Sequence, residues 1–420
     1  MHSNSRMQTC RGSAKVAVLD TIHGASTIAQ RMCRSGIDAS AFEVYHQAPS
    51  ISGFDLVVTP VHLSPENPAL AEAKRLHKRI ITHHMAVGEL LIDDLKPDLK
   101  IFEVTGIHSK TTTALLLARI ISSNMRVISH STRGIELWSN GSSKTLQTGL
   151  SITPANVIRA VETADTNNAD ALVCEVSLGG TGLADYGILT SLSGDYRIAG
   201  GTKWASTAKL QLLSLAKPGS KVVANADAKI SSDISFGHDG YIIAKPNEIC
   251  FGHDKAQLAL GADLDFESYE TAISASAAAA YYAGLSIKEI ADALEGFDGI
   301  SGRMKVTRSS GISVYDCSNS GLKVSDVKHV LDLVTDGKIG LVVGEEAETV
   351  CEGINVPSLV ELLCRYRNKI DLLVLVGRRL DPWAKELRAK QAQDLKTGES
   401  LARLSASELD KLLLCVKCFR

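Results

Sequence analysis

Residues 104–113 read VTGIHSKTTT and join an apolar strand pattern, IFEVTG, to a strong helix pattern, TTTALLLARIIS. A strand, a phosphate-sized turn and a helix together aim backbone N–H groups and a helix N-terminus at an anion. A lysine adds a mobile positive charge and a hydroxyl holds a metal ion. Gly106, Lys110 and Thr111 occupy those places, with Ser109 and Thr112 beside them. The full Walker pattern puts four residues between its first glycine and Gly-Lys-Ser/Thr. Here only three residues separate Gly106 from Lys110, and Ser109 stands in the place of the second glycine. The chemistry expected of the loop is the holding of nucleotide phosphates with their magnesium.

Other residues able to do chemistry fall where strand patterns end. ADALVCEVS delivers Glu175, and a carboxylate at the end of a strand beside a phosphate loop is where a nucleotide magnesium is usually held. YGILTSLS leads to Gly194 and Asp195, the helical pattern KWASTAKLQLL carries Lys209 in an apolar setting, and KVVANADA yields Asn225 and Asp227. Nearer the start, His23, His46, His62 and the pair His83 and His84 follow the carboxyl ends of successive strand patterns. That edge of an open α/β sheet is a ligand crevice. It is also where loops collect polar residues of any kind, so two readings stand: an ordinary polar rim, or a site for a polyanionic or metal-bearing molecule.

The elements that must position these residues alternate strand and helix. In 15–98 the strands are KVAVLD, AFEVYH, FDLVVTPVH and RIITHHM, and the helices STIAQRMCRSG and ENPALAEAKRLHK, which is the pattern of a small doubly wound sheet. The stretch 99–300 adds the strand RVISH, a Gly/Ser hairpin region in WSNGSSKTLQTGLS, and a helix from TPANVIRAVETA whose proline suits a first turn. Its Ala-rich helix YETAISASAAAAYYAGL reads as packing, without chemistry. The remainder, 301–420, carries the strands KIGLVVGEE and KIDLLVLVG between helices.

Composition sets outer bounds. The chain of 420 residues is 45% apolar and 22% charged with formal net charge −2, which fits an ordinary globular protein of several domains and offers no basic surface for nucleic acid. There is no run of 18 apolar residues, and the polar opening MHSNSRMQTCRGS lacks the apolar core of a signal peptide, so no membrane contact and a cytoplasmic location are expected. Nine scattered cysteines argue against a disulfide framework, and Cys415 and Cys418 in CVKC lack the second pair of a structural zinc site. Nothing distinguishes a monomer from a dimer.

These segments together resemble the Mur ligase family. TGIHSKTTT is similar to that family's TGTNGKTTT and EVS to its EVSS. ILTSL matches the strand before its DHLD, STAKLQLL its AAKLRIF, VVANADA its VINADD, and GISGRMKV followed by GISVYDCSNS its PGRME and DDYAHNP. The resemblance implies an α/β protein of three domains: a small Rossmann-like N-terminal domain, a central P-loop ATPase domain and a Rossmann-like C-terminal domain. It also implies ATP and Mg2+ as cofactors. Lys110 would bind the β- and γ-phosphates, Thr111 and Glu175 the magnesium, Asn225 would approach adenine with Asp227 in the same segment, Arg303 would reach the γ-phosphate and Asp316 the ribose side. Lys209 aligns with the lysine that becomes a carbamate in the family; carbon dioxide would convert a cation that repels magnesium into an oxygen anion that binds it.

The departures carry information too. Ser109 replaces a loop glycine, the histidine of DHLD is replaced by Tyr196 or lost, which leaves Asp195 as a substitute metal ligand, Asn319 replaces the histidine of DYAHNP, and there is no DNPR segment to seize an amino-acid carboxylate. The expected chemistry is phosphorylation of a carboxylate by ATP, then attack on the acyl phosphate. One methanogen branch of the family resembles this chain in VLDTIHG, TPVHLSPENPAL and GEEAETVCEG. That branch closes a carbocyclic ring on a nickel tetrapyrrole, the last step toward coenzyme F-430. The likeness implies a nickel tetrapyrrole substrate met by His23, His62, His83 and His84, as axial ligands or as partners for its carboxylates. An amide ligase and a catalytically silent ATP-binding module remain as alternatives.

Overall fold

The computed structural model describes residues 14–309, 311–346, 353–404 and 409–419. The polar opening 1–13 and positions 347–352 of the GEEAETVCEG segment lie outside the described residues. The chain forms two compact units: one runs to Leu258 and includes Glu270–Ala293, the other comprises Ala259–Tyr269 and Leu294–Arg420. No helix among the described residues is long and apolar enough to cross a membrane.

In the first unit a four-stranded, all-parallel sheet runs in the order Asp38–Phe42, Lys15–Leu19, Leu56–Thr59, Arg79–Thr82. Lys15–Leu19 is central and buried beyond its first residue, as a strand covered on both faces must be. Two expectations are corrected here. The strand expected in AFEVYH is instead DASAF, Asp38–Phe42, paired in register with Lys15–Leu19. The expected strand RIITHHM stops at Thr82, whose hydroxyl accepts the Met85 N–H and caps a helix, His83–Leu91, so both histidines lie in a helical first turn.

The central sheet has eleven strands. Its parallel core runs Ile242–Lys245, Ile234–Phe236, Lys221–Asn225, Tyr186–Leu189, Lys100–Thr105, Ala171–Glu175, Val127–Ser131, with antiparallel additions at both edges, one of them the hairpin Gly134–Ser139 with Ser142–Gln147. Lys100–Thr105 lies in the middle. From it the chain passes to Val127–Ser131 and Ala171–Glu175 on one side and then crosses to Tyr186–Leu189 on the other. That reversal is a topological switch point, where ligands bind outside the carboxyl ends of strands. The expected helix KWASTAKLQLL is two short helices, Ala205–Lys209 and Gln211–Ser214, after a two-residue strand, Lys203–Trp204.

One hydrophobic core runs through both sheets of this unit. Val16, Ile28, Leu56 and Val87 share it with Ile101, Ile158 and Leu172. The backbones approach closely: a Cβ on Gly24 (φ +100°) would lie 2.3 Å from the Ala155 Cβ, and one on Gly88 would lie 2.0 Å from the Thr181 carbonyl oxygen. Glycine is therefore required at both points.

The second unit holds a six-stranded sheet, ordered Lys305–Ser309, Ile312–Asp316, Lys411–Lys417, Ile339–Glu345, Leu372–Val376, Lys390–Ala392, parallel apart from the first pair. Separate cores cover its two faces. Cys415 belongs to one and Cys418 to the other, as an odd spacing along a strand requires, so the CVKC pair does not converge on one metal ion.

Candidate active site

The loop after Lys100–Thr105 is built as its residue types demand. Gly106 has φ +144°, and a Cβ there would lie 2.0 Å from Thr190 Oγ1 and 2.9 Å from the Ser191 N. The Thr190 hydroxyl donates to the His108 carbonyl at 2.6 Å, tying the loop to the neighbouring strand end. Ser109 adopts the left-handed φ of 62° that a glycine would take freely and so still serves as the residue before the helix Lys110–Ile121. The Lys110 ammonium donates to the Ile107 carbonyl at 3.4 Å, folded over its own loop.

Beside the loop, Thr111 Oγ1 lies 3.4 Å from Thr132 Oγ1, and the Thr132 N–H donates to Glu175 Oε2 at 3.3 Å. Thr111 and Glu175 thus meet through Thr132, which the sequence reading missed because it belongs to no motif. Hydroxyls and one carboxylate form the hard oxygen donor set that magnesium prefers. The loop's closely packed glycine and this donor set fit a magnesium nucleotide. On the far side Asn225, at the end of Lys221–Asn225, donates to the Thr190 carbonyl at 3.1 Å and accepts the Asp227 N–H at 3.0 Å. Asp227 is exposed in the short turn that follows.

Lys209 is almost wholly enclosed, with 2% of its surface exposed. The helix that carries it is fastened by Asp195, which accepts the Ser206 N–H at 2.9 Å and the Ser206 hydroxyl at 2.5 Å, as well as the Tyr196 N–H at 2.9 Å. Burial pushes the Asp195 carboxyl up, but the bonds from Ser206 and Tyr196 and the nearby Lys209 charge outweigh it and hold the group below its ordinary range. Asp195 is therefore engaged as an anchor of the Lys209 helix. Gln211, just beyond, accepts the Thr82 hydroxyl at 2.8 Å, which links this helix pair to the first sheet.

At the first sheet's carboxyl edge, His23 and His62 come together around a residue missing from the expected set, Asp20. The His23 Nδ1–H donates to Asp20 Oδ2 at 2.6 Å, the Tyr45 hydroxyl donates to the same oxygen at 2.8 Å, and the His23 backbone N–H reaches Asp20 Oδ1 at 3.1 Å. His62 Nε2 stands 3.6 Å from Oδ2, and the two imidazole rings meet edge to face at 4.4 Å. Burial would raise the Asp20 carboxyl, but His23, His62 and Tyr45 hold it well below the usual carboxylate range. Among the described residues Asp20, His23 and His62 are the one group that brings three potential metal donors together. Their 2.6 Å contact is a hydrogen bond, and the cluster reads as a hydrogen-bonded carboxylate and imidazole pair.

His83 and His84 are not on the open edge. They are 1% and 2% exposed, and their Nε2–H groups donate to the carbonyls of Leu19 at 2.9 Å and Ser177 at 2.6 Å. Burial holds His83 down to about 3 and His84 down to about 4, against the weaker opposing pull of those carbonyls. Both rings are neutral at neutral pH, and their enclosure replaces the expected substrate contact with a structural role. The positive charges of His62 and Lys209 also disfavour a proton on His84. His46 is exposed, and its backbone N–H donates to the Glu43 carboxylate.

In the second unit Arg303 and Asp316 are brought together. Asp316 Oδ2 accepts the Ser301 hydroxyl at 3.1 Å and the Gly302 N–H at 2.9 Å, fixing the turn that presents Arg303. Arg303 donates to Asn319 Oδ1 at 2.9 Å, so Asn319 takes part in holding the guanidinium.

Comparison with known proteins adds three findings. A family model described as Coenzyme F430 synthetase CfbE, C-terminal domain, matches residues 306–418. The chain is 34% identical to the coenzyme F(430) synthetase of Methanosarcina acetivorans over 97% of this chain and 99% of that one, and 24% identical to the Methanocaldococcus jannaschii protein of that name over 48% and 50%. Its fold is similar to that of a bifunctional folylpolyglutamate synthase/dihydrofolate synthase from Yersinia pestis solved with AMPPNP and a Mn ion, with 18% identity, TM-score 0.57, and 80% and 90% of the two chains covered. It is similar also to MurF from Acinetobacter baumannii, with 14% identity, TM-score 0.57, and 94% and 95% covered.

Proposed function

The chain belongs to the coenzyme F430 synthetase family, ATP-dependent ligases of the Mur type, and from that premise we propose that it activates a propionate carboxylate of a nickel seco-tetrapyrrole as an acyl phosphate. A ring carbon of the same molecule then attacks the acyl carbon, closing a carbocycle and releasing phosphate after ADP. The observation that carries the ATP half is the set formed by Gly106, Thr111, Thr132 and Glu175 at the switch point of the central sheet.

Each residue has a task in this reading. The backbone of 106–111 and the Lys110 ammonium hold the β- and γ-phosphates, and Lys110 stabilises the charge that spreads over the transferring phosphoryl oxygens. Thr111 and Glu175 hold magnesium, which when bound neutralises that same charge. Asn225, with Asp227 beside it, borders the adenine side. Arg303, held by Asn319, is the residue that the family resemblance assigns to the γ-phosphate, and Asp316 keeps its turn in place. Lys209 acts as a carbamate: enclosed beside Asp195, its added carboxyl would turn a cation into a further anionic ligand for the metal. His23 and His62 face the tetrapyrrole, and the nickel enters only as part of that substrate.

The lack of a DNPR segment favours an acceptor within the same molecule over an amino acid. ADP release tests the choice. With ATP and magnesium, the nickel seco-precursor should stimulate ADP release and amino acids should not. Stimulation by an amino acid paired with a carboxylate other than the precursor would establish the amide-ligase reading instead, and silence with every acceptor would leave a nucleotide-binding module.

A further inference from the structure

Acylation of a ring carbon that bears hydrogen forms one C–C bond and breaks one C–O and one C–H bond. The acyl C–O bond breaks and phosphate departs with the electron pair; the C–H bond breaks and its proton must pass to a base as the new bond forms. We propose that His23 is that base, accepting the proton at Nε2 while Asp20 positions the ring through Nδ1. This rests on the reading given under Proposed function.

The geometry is that of a general base with its orienting group. Because Asp20 Oδ2 receives the Nδ1–H at 2.6 Å, the ring is held in the tautomer whose Nε2 carries the lone pair. Asp20 cannot swing away: it is wholly buried, and its carboxylate also receives the His23 N–H at 3.1 Å and the Tyr45 hydroxyl at 2.8 Å. Its backbone is left-handed, φ 81° and ψ 81°, a conformation that a non-glycine residue holds only under constraint and that is common where a functional side chain must be aimed. The imidazole keeps 21% of its surface in contact with solvent, at the sheet edge where a ligand approaches.

The surroundings suit a proton taken up in one step and given back in another. Tyr45 lies 6.2 Å away ring to ring, and His62, edge to face at 4.4 Å, places its buried Nε2 3.6 Å from the same Asp20 oxygen. His83, bonded to the Leu19 carbonyl next to Asp20 in the chain, is kept neutral by burial. Asp20 is therefore the anion beside which an imidazolium at His23 forms, with His62 as the second imidazole at the same carboxylate.

A base that acts after the acyl phosphate has formed leaves a distinctive trace, because its loss separates phosphoryl transfer from ring closure. Parent, His23→Gln, His23→Ala and Asp20→Asn proteins, matched for thermal unfolding midpoint, are given ATP and the nickel seco-precursor. ADP, cyclised product and the hydroxamate formed with added hydroxylamine are measured. The parent should give one product per ADP. In both His23 variants ADP release should persist while product falls by about a hundredfold or more, the usual scale for a lost general base, and hydroxamate should accumulate. Asp20→Asn should make less product, with the acidic limb of its pH profile moved to lower pH because the imidazole loses its anionic partner, while ADP release keeps the parental profile. Product and ADP falling together in the His23 variants, or both staying parental, overturns the proposal and leaves the ligase reading intact. A parent that releases no ADP with the precursor overturns both.

Discussion

Gly106 and Thr190 approach so closely that a Cβ on the glycine would sit 2.0 Å from the Thr190 hydroxyl oxygen. Thr190 cannot yield, because that hydroxyl is committed to the His108 carbonyl at 2.6 Å and its backbone belongs to the adjoining strand end. Gly106→Ala should therefore displace the whole loop and abolish measurable ATP binding by calorimetry while the protein still folds. An ATP affinity within a few-fold of the parent would show that the loop does not hold nucleotide.

Lys110 lies folded over the Ile107 carbonyl and is the loop's mobile charge. Lys110→Ala should lower kcat by about a hundredfold or more, the scale of losing one preorganised electrostatic partner. Steady-state ADP release decides the matter, and turnover within a few-fold of the parent contradicts the assignment.

The phosphate loop was legible because its chemistry is local: glycine, lysine and threonine at fixed spacing between a strand and a helix say what they do without a partner elsewhere. The order of the strand-end residues was legible for the same reason, and the α/β class followed from alternation. What the sequence hid depends on distant partners. Asp20 looked like one more strand-end residue until Tyr45, 25 positions on, and His62 closed around it. Residues 83–85 read as the tail of a strand, because the Ile80–Ile81 pair carries the signal and the Thr82 cap shows only in its bond to the Met85 N–H. DASAF has few of the residues that favour strands and forms one because it pairs in register with Lys15–Leu19. Burial of His83 and His84 was likewise invisible, since a first turn rich in histidine looks polar until a second sheet covers it.

Burial of imidazoles predicts acid lability. His130, wholly buried in the strand Val127–Ser131 with its Nε2 3.2 Å from the Ser151 carbonyl oxygen, joins His83 and His84. The three are held down to about 4, 3 and 4 by desolvation, so below the ordinary value of about 6.5 the unfolded chain binds protons that the folded chain does not. Stability therefore falls as pH drops from about 6.5 toward 4, by up to about 1.4 kcal/mol per pH unit for each histidine. Thermal midpoints of the parent and of His130→Asn at pH 7 and pH 5 isolate one contribution: the variant should lose less on acidification. Equal losses in the two proteins would show that His130 is not enclosed.

Lys209 offers a second chemical test. Lys209→Ala should be inactive, and short carboxylic acids in solution should restore part of the turnover by supplying the missing oxygen anion. A crystal structure grown with bicarbonate that shows a plain ammonium remote from magnesium would rule out the carbamate.

The central claim is that ATP activates a carboxylate of the nickel seco-tetrapyrrole and that a carbon of the same molecule displaces the phosphate. The direct measurement labels the propionate carboxylate with oxygen-18 and follows the label by mass spectrometry after turnover with unlabelled ATP. An acyl phosphate transfers one labelled oxygen to the released phosphate, and the cyclised tetrapyrrole keeps the other as its new ketone. Unlabelled phosphate, or label retained in full by an uncyclised or amidated product, would contradict the account.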